Sequence, residues 1–376
     1  MLAAMSLRLD DETRTALAPY GFDEALLARF AERAKSTSAD DNAVRGVVTP
    51  PAEGDVRPLP AVGSAERARL REIGREAIRR GEVGVVILAG GMATRFGGVV
   101  KAAVPVFEDR SFLEIKVHDV LACAAHAGGV VPIFVMTSFA THERIVAHVR
   151  EKSLDPAGVP AIACFPQLVS LRLTPEGTLF RDDDGTPSPY ATGHGDLTFA
   201  LRRSGLLARF RAAGGKHLYM SNVDNLGATL EPAIIGLHLE RGAAITAEVV
   251  RKDKGDKGGA PARLDGVPQI IEAFRFPKTF DQDAIPVFNT NTFLLDAAAI
   301  DRDFALPFYR VEKKVEGRTA IQFERLVGEL TAFLPSTFVE VERDGIDGRF
   351  QPAKDPDELA RRLPNIIAIA KSERWK

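Results

Sequence analysis

The sequence GVVILAGGMATRFGGVVK, residues 84–101, passes from an apolar run directly into a glycine-rich segment. A run that is apolar on both faces is typical of a buried strand in a parallel sheet. A glycine pair at the carboxyl end of such a strand lets backbone N–H groups approach a phosphate or a base, because no Cβ stands in the way. Gly90 and Gly91, which follow Leu88 and Ala89, are placed for this task.

The glycine spacing separates this loop from two well-known phosphate loops. It does not match the dinucleotide pattern G-x-G-x-x-G, and no G-K-[ST] closes it as in the Walker pattern. Arg95 and Lys101 follow the glycines and could converge on a triphosphate whose charge grows during transfer. The alternatives are a simple tight turn and solvated surface cations.

The rest of the chain places this loop in a larger sheet. Short β-branched or apolar runs alternate with helical stretches, which predicts a doubly wound, mostly parallel α/β sheet. The predicted strands are Val83–Leu88, Val130–Met136, Ala161–Phe165, Leu218–Ser221 and Ile245–Val250. Asp265-Gly266 predicts a hairpin turn inside PARLDGVPQIIEAF.

The chain is expected to divide at residue 80. Residues 1–80 read as a helical appendage and linker, with a helical pattern over residues 20–36 and a second helix that begins at Ser64. Residues 81–376 read as one domain. Its closing part is predicted to contain a helix over Ala320–Leu330, an extended stretch over Phe338–Glu342 and a short helix near Pro356–Arg362.

Composition excludes several functions. The 376 residues carry a formal net charge of −2, so no basic surplus is available for a nucleic acid. Cys123 and Cys164 lie in apolar segments without other ligands at zinc spacing, and are expected to be reduced core residues. Acidic residues and prolines interrupt the amino terminus before any long apolar run, which argues against a signal peptide or membrane span and predicts a cytoplasmic location.

Several motifs, in order along the chain, resemble the UDP-glucose pyrophosphorylase family (UTP glucose-1-phosphate uridylyltransferases). They extend over most of the chain after residue 83. They are LAGGMATRFG (88–97), FVMTSFATHERI (134–145), ATGHGDLTFALRRSGLL (191–207), SNVDNLGATLEP (221–232), KGGAPARLDGVPQIIEAFRFP (257–277), FNTNTFLLD (288–296) and RFQPAKDPDEL (349–359).

The resemblance implies the fold and the reaction. The fold would be the Rossmann-like fold of the nucleotide-diphospho-sugar transferases. The enzyme would be a magnesium-dependent nucleotidyltransferase that joins UTP and glucose 1-phosphate by in-line attack on the α-phosphate, releasing pyrophosphate. Only sixteen residues follow Ala360, so the carboxy-terminal β-helix of eukaryotic members is expected to be absent, and a monomer or weak oligomer is expected.

Two departures from the family pattern concern the glycine loop, and the expected absence of the β-helix is a third. Gly91-Met92-Ala93-Thr94 stands where eukaryotic members have G-x-G-T, and Val100-Lys101 stands one position early for the family's P-K pair. Arg95 instead resembles the arginine of UDP-N-acetylglucosamine pyrophosphorylases and bacterial enzymes.

The roles expected of single residues follow from their position in the predicted fold and from the resemblance. Asp224 follows an apolar strand, so its carboxylate would project at the sheet edge where ligands collect and would suit Mg²⁺. His194 lies between glycines and is free to donate toward phosphate. By resemblance Gln167 would read the uracil edge, since a carboxamide offers one donor and one acceptor. The remaining nucleotide contacts would be Gly193 and Asn222, the sugar contacts Gly259, Glu272, Asn289 and Asn291, and the catalytic cations Arg95, Lys101 and Lys354.

Other functions remain open at this point. A UDP-N-acetylhexosamine or broad-specificity UDP-sugar pyrophosphorylase is the nearest alternative, and a catalytically weak nucleotide-sugar binding homologue is another. A nicotinamide dehydrogenase would need an acid about twenty residues beyond its fingerprint. Asp109 or Glu114 could serve, but the glycine spacing argues against this class.

Overall fold

The computed structural model describes residues 7–36, 38–155, 162–253, 255–256, 258–372 and 374. The α-helices are α1 (Asp11–Leu17), α2 (Glu24–Ser36), α3 (Ala65–Arg79), α4 (Phe112–Ala127), α5 (His142–Glu151), α6 (Leu197–Arg203), α7 (Leu206–Ala212), α8 (Pro232–Arg241) and α9 (Pro356–Lys371). In the described part of the chain, no helix is long and apolar enough to cross a membrane.

The strands alternate with these helices along most of the chain. They are β1 (Val48–Thr49), β2 (Val56–Pro58), β3 (Val83–Leu88), β4 (Met92–Ala93), β5 (Val99–Val100), β6 (Pro105–Phe107), β7 (Arg110–Ser111), β8 (Ile133–Thr137), β9 (Ala163–Pro166), β10 (Val169–Leu171), β11 (Pro189–Ala191), β12 (His217–Asn222), β13 (Ile245–Arg251), β14 (Ala260–Leu264), β15 (Val267–Ile271), β16 (Val287–Asp296), β17 (Tyr309–Val315), β18 (Arg318–Glu324) and β19 (Ser336–Glu340).

The central sheet has eight strands in the order β2-β19-β13-β16-β12-β3-β8-β9. Strand β16 runs antiparallel to both neighbours, whereas the other pairings are parallel. The prediction of a mixed α/β fold with a large, mostly parallel sheet is therefore confirmed. The predicted strand over Val83–Leu88 has the bounds of β3, and all six of its residues are buried. Ala161, the predicted start of β9, lies outside the described residues.

Helices cover both faces of the sheet. Leu201 of α6 and Phe210 of α7 belong to the apolar cluster on one face. Phe112 of α4, Ile145 of α5 and Ile366 of α9 belong to the cluster on the other face. Burial on both sides explains why the central strands are apolar without alternation.

Residues before position 80 also pack against this sheet. Strand β1 pairs with β14, and β2 pairs with β19 at the edge of the sheet. Further upstream, Leu27 and Phe30 of α2 form an apolar cluster with Phe323 of β18. The division of the chain at residue 80 stays a prediction.

The carboxy-terminal third corrects one prediction and extends another. Ala320–Leu330 is not a helix: β18 ends at Glu324, and a 3₁₀ helix runs from Val327 to Ala332. The segment is a strand because it pairs with β17 and because Ile321 exchanges backbone hydrogen bonds with Leu173, and such tertiary pairing overrides local helix preference. The predicted short helix near Pro356–Arg362 continues to Lys371, since Ile366 is buried against the sheet.

Helices α3 and α8 touch backbone to backbone. A Cβ on Gly236 would lie 2.0 Å from the carbonyl oxygen of Leu70, and one on Gly74 would lie 1.9 Å from that of Pro232. Both distances are far below van der Waals contact with rigid backbone atoms. The two glycines therefore set the spacing between these helices.

We expect Gly236→Ala to lower the free energy of unfolding by about 1–3 kcal/mol, because overpacking forces the helices apart. The gain of about 1 kcal/mol in helix propensity opposes this loss but is smaller. Urea denaturation measures the difference. Arg69→Ala removes an exposed ion pair with Glu240 on the same two helices and should leave the stability nearly unchanged. A Gly236→Ala variant as stable as the parent would refute the close contact.

Candidate functional site

A cavity of 330 Å³ opens at the carboxyl edge of the central sheet. Parallel strands β3, β8 and β12 end there, and ligands collect at this edge in open α/β folds. Of the predicted nucleotide residues, the structure brings eight together in the cavity wall: Leu88, Gly90, Gly91, Gln167, Gly193, His194, Asn222 and Asp224. Ala89 is buried behind them, where its N–H donates to the carbonyl of Met136 at 2.8 Å.

Gln167 lies directly against the glycine loop. A Cβ on Gly90 would stand 2.6 Å from Gln167 Nε2, so only a glycine leaves room for the carboxamide in this position. The Gln167 N–H donates to the carbonyl of Thr137 at 2.9 Å, which fixes its backbone at the end of β8. Gln167 is therefore held at the cavity wall, with only 7% of its surface exposed.

Lys101 closes the glycine loop onto Asp224. Strands β4 and β5 form a small hairpin that returns the chain, and the Lys101 N–H donates to the carbonyl of Gly91 at 3.4 Å. Lys101 Nζ lies 2.5 Å from Asp224 Oδ2, and the two side chains are only 13% and 19% exposed. The glycine loop and the acidic strand end thus face each other across one cavity.

Arg95 and Lys354 lie beside the cavity but do not line it. The Arg95 side chain is 67% exposed and pairs with Asp355 at 3.6 Å. Lys354 is exposed, and its neighbour Ala353 donates a backbone hydrogen bond to the carbonyl of Asp224 at 3.2 Å. Both cations therefore stand near the Asp224 end of the cavity.

His194 is held as a neutral imidazole. Its Nδ1 accepts the backbone N–H of Val327 at 3.1 Å, so the proton of the neutral ring is on Nε2. Burial lowers the pKa of His194 to about 4, which keeps the ring uncharged near pH 7. The preceding Gly193 has φ +98°, and a Cβ there would lie 2.4 Å from the carbonyl oxygen of Arg325. The loop can therefore present an Nε2–H donor at the cavity wall.

Asp196 and Arg325 hold this loop, and the sequence reasoning missed both. Asp196 Oδ2 accepts the Leu168 N–H at 3.1 Å and the Thr192 hydroxyl at 2.6 Å. Its Oδ1 accepts Arg325 Nε at 2.6 Å, and the Arg325 guanidinium stands 3.8 Å from the ring centre of Phe199. Asp196 therefore joins the segment after Gln167 to the His194 loop, and its ion pair with Arg325 ties both to the end of β18. The acidic residue in GHGD was visible in the sequence, but its distant partner was not.

Asn289 and Asn291 connect the predicted sugar residues to the cavity. A bulge in β16 opposite β13 gives Asn291 a φ of +58°. Asn291 Nδ2 then donates to Asn222 Oδ1 at 2.9 Å, and its backbone N–H donates to Asn289 Oδ1 at 3.1 Å. A chain of amide contacts therefore runs from the nucleotide set to the sugar set.

Gly259 and Glu272 complete the sugar set behind Asn289. The Asn289 N–H donates to the carbonyl of Gly259 at 2.7 Å, and a Cβ on Gly259 would lie 3.0 Å from the Glu272 carboxylate. Burial and then the nearby Glu329 carboxylate raise the pKa of Glu272 to about 7. Gly259, Glu272 and Asn289 thus form one polar cluster, but they do not line the 330 Å³ cavity itself.

The donor set fits magnesium better than a structural metal. Among the described residues, no group of three or more His, Cys, Asp or Glu side chains could hold a metal ion. Asp224 is one carboxylate at the cavity, and Mg²⁺ commonly takes one or two carboxylates with phosphate oxygens and waters. The arrangement therefore suits an ion that arrives with a nucleotide.

Sequence comparison gives a consistent set of relatives. A sequence model of the family described as UTP–glucose-1-phosphate uridylyltransferase matches residues 27–373. UTP–glucose-1-phosphate uridylyltransferase 2 of Dictyostelium discoideum is 27% identical over 307 residues, covering 77% of this chain and 60% of that protein. The Saccharomyces cerevisiae uridylyltransferase is 30% identical over 230 residues, covering 59% and 46%. The chain thus spans 60% or less of the length of these relatives.

Solved structures share the fold. The uridine diphosphate N-acetylglucosamine pyrophosphorylase of Trypanosoma brucei aligns with a TM-score of 0.77 at 19% identity, covering 96% of this chain and 81% of that one. A structure described as UDP-glucose phosphorylase, from the same organism, aligns with a TM-score of 0.75 at 21% identity, covering 96% and 78%.

We expect Arg325→Met to lower the free energy of unfolding by about 3–5 kcal/mol, because it leaves the Asp196 carboxylate buried without its cation. Chemical denaturation measures the loss. Arg318→Met, at the start of β18, removes exposed contacts with Asp183, Glu316 and the carbonyl of Arg181 and a cation–π contact with Phe180, and it should cost less than about 1 kcal/mol. Equal losses in the two variants would show that the buried pair does not hold the loop.

His194→Gln should change how stability depends on pH. Since the His194 pKa is about 4 in the folded protein and near 6.5 when unfolded, the parent loses stability as pH falls from 6.5 toward 4. The difference in the free energy of unfolding between the parent and the variant should therefore fall by about 2–3 kcal/mol between pH 6.5 and pH 4. Urea denaturation at several pH values measures this difference. The contributions of the other histidines cancel, because both proteins contain them. Parallel curves would contradict a buried neutral His194.

Proposed function

This chain belongs to the UTP–glucose-1-phosphate uridylyltransferase family, and we propose that it forms UDP-glucose and pyrophosphate from UTP and glucose 1-phosphate. The observation that carries the proposal is the contact of Lys101 with Asp224 across the cavity. It brings a glycine loop, a cation and a carboxylate to one sheet edge, as nucleotidyl transfer requires. The proposal also rests on the family membership of the chain.

The uridine half of UTP would occupy the 330 Å³ cavity, whose volume falls in the range of small-ligand sites. Gln167 would pair with the uracil edge, because its carboxamide is held against Gly90 and offers one donor and one acceptor. Backbone groups of Leu88, Ala89, Gly90 and Gly91 would approach the nucleotide from the loop side. Gly193 and Asn222 would complete the wall.

The phosphates would lie between the glycine loop and Asp224. His194 would donate from Nε2 to phosphate as a neutral group, since its Nδ1 is engaged by Val327. Lys101 would contact phosphate oxygens from inside the cavity. Arg95 and Lys354, which stand beside it, would stabilise charge on the leaving pyrophosphate.

The reaction would be a direct displacement. A phosphate oxygen of glucose 1-phosphate forms a bond to the α-phosphorus of UTP while the bond between the α-phosphorus and the bridging oxygen breaks, and pyrophosphate leaves with the electron pair. No proton needs to move to a protein group. The work of the chain is therefore to align the two substrates and to neutralise charge.

Asp224 would hold a magnesium ion, which when bound neutralises phosphate charge. Because the Lys101 ammonium group contacts Oδ2 of this carboxylate, it would turn to the phosphates when the ion binds. Glu272, Asn289 and Asn291, with Gly259 leaving space for the carboxylate, would bind sugar hydroxyls. A site that pairs with each hydroxyl rejects analogues that lack one, because its buried polar groups would then stay unpaired.

Two further expectations stay predictions. A cytoplasmic location is one of them. A monomeric or weakly associated state is the other.

We expect the purified chain to release pyrophosphate from UTP, glucose 1-phosphate and Mg²⁺ in a coupled assay. Asp224→Ala should lower kcat by about 10²–10³-fold, because the transition state loses charge stabilisation. Asp183→Ala is the matched control, since this exposed carboxylate pairs with Arg318 and does not line the cavity. N-acetylglucosamine 1-phosphate and other nucleoside triphosphates complete the panel.

Three outcomes would contradict parts of the proposal. Absence of pyrophosphate release by the parent would reject the enzyme assignment, and preference for another triphosphate would reject the role of Gln167. Preference for N-acetylglucosamine 1-phosphate would reject glucose as the sugar.

A further inference from the structure

Lys116 and Asp119 lie one turn apart on α4, and both reach the segment Ser221–Leu230. Lys116 Nζ donates to Ser221 Oγ at 2.8 Å and to the carbonyl of Ala228 at 2.6 Å. Asp119 Oδ2 accepts the backbone N–H of Leu230 at 2.8 Å. The helix therefore contacts both the beginning and the end of this segment.

The position of Lys116 is unusual for a lysine. Its surface is only 4% exposed, and Asp119 beside it is also buried. An ammonium group out of water is costly, and burial lowers the pKa of Lys116 to about 7 although Asp119 acts to raise it. A buried polar group at this depth is expected to have specific partners, and Ser221 and Ala228 are those partners.

The segment that they contact carries the cavity residues. Asn222 and Asp224 lie between Ser221 and Ala228 and line the cavity. Between them and Ala228, Asn225 is held by a second part of the chain, since it donates to the carbonyl of Arg349 at 3.1 Å and accepts the Gln351 N–H at 2.8 Å. The short segment is thus held by two parts of the chain, with Asp224 between the attachments at Ser221 and Asn225.

We propose that Lys116 and Asp119 are positioning residues, here called the α4 clamp, that hold Ser221–Leu230 so that Asn222 and Asp224 face the nucleotide cavity. Neither residue lines that cavity, so the clamp acts through the backbone that it holds. The nature of the bound nucleotide rests on the proposed function, whereas the clamp itself rests on the contacts.

A purely structural role is the alternative, and three variants separate the two. Lys116→Met keeps the apolar stem and removes the ammonium group. Asp119→Ala removes the acceptor for Leu230 and provides a second variant if the first does not fold. Val120→Ala is the matched control. Val120 is a buried residue of the same helix and belongs to an apolar cluster, so the substitution weakens the packing of that cluster.

The test uses three measurements on the full chain: the thermal midpoint, hydrogen exchange of residues 221–230, and the dissociation constant for UTP with Mg²⁺ by calorimetry. Lys116→Met should weaken UTP binding about tenfold or more and should speed exchange in residues 221–230, and Asp119→Ala should speed exchange at Leu230. Val120→Ala should lower the thermal midpoint but keep the UTP affinity and the exchange pattern of the parent.

Parent-like UTP affinity and parent-like exchange in both clamp variants would overturn the proposal. A Val120→Ala variant that weakens UTP binding as much as Lys116→Met would do the same. Turnover by the parent tests the proposed function separately, since neither exchange nor binding needs catalysis. If the parent binds no UTP, the exchange in residues 221–230 alone decides whether the clamp exists.

Discussion

The parallel pairing of β3 with β12 is the constraint on which the site depends. Its register places Leu88, the last residue of β3, opposite Asn222, the last residue of β12. Because parallel strands end at the same edge, this pairing brings the loop after β3 and the acidic segment after β12 together from distant parts of the chain. The contact between Lys101 and Asp224 follows from that register.

Missing side chains shape this site as much as the side chains that are present. Gly90 leaves room for the Gln167 carboxamide, and Gly193 lets its loop lie against the carbonyl of Arg325. In Ser221–Leu230, Gly227 likewise lets the chain lie against another backbone, since a Cβ there would stand 2.7 Å from the backbone of Arg349. Two of the three segments around the cavity are therefore set by close backbone approach and the third by room for one side chain, and residues with a Cβ could not reproduce these contacts.

Three sets of buried polar contacts hold these segments in place. The ion pair of Asp196 with Arg325 fixes the His194 loop, and the α4 clamp fixes Ser221–Leu230. Beneath the sheet edge Arg349 donates to Glu248 at 2.7 Å, which anchors the carboxy-terminal segment that leads to Lys354. Each contact is buried, so each is stronger and more costly to break than its surface equivalent. The cavity thus has buried polar contacts as its support, and the exposed cations Arg95 and Lys354 lie at its edge.

The sequence by itself determined most strands of the central sheet, the hairpin at Asp265-Gly266 and the family. Apolar runs and turn residues carry this information locally, and for that reason β3 has the predicted bounds. The tertiary structure alone decided that Ala320–Glu324 is a strand, that Asp196 pairs with Arg325 129 residues away, and that Lys116 supports Ser221. These outcomes depend on which distant segments pair and on which side chains they bury. Periodicity within one segment indicates that a side chain is buried, but it does not indicate which residues the side chain packs against.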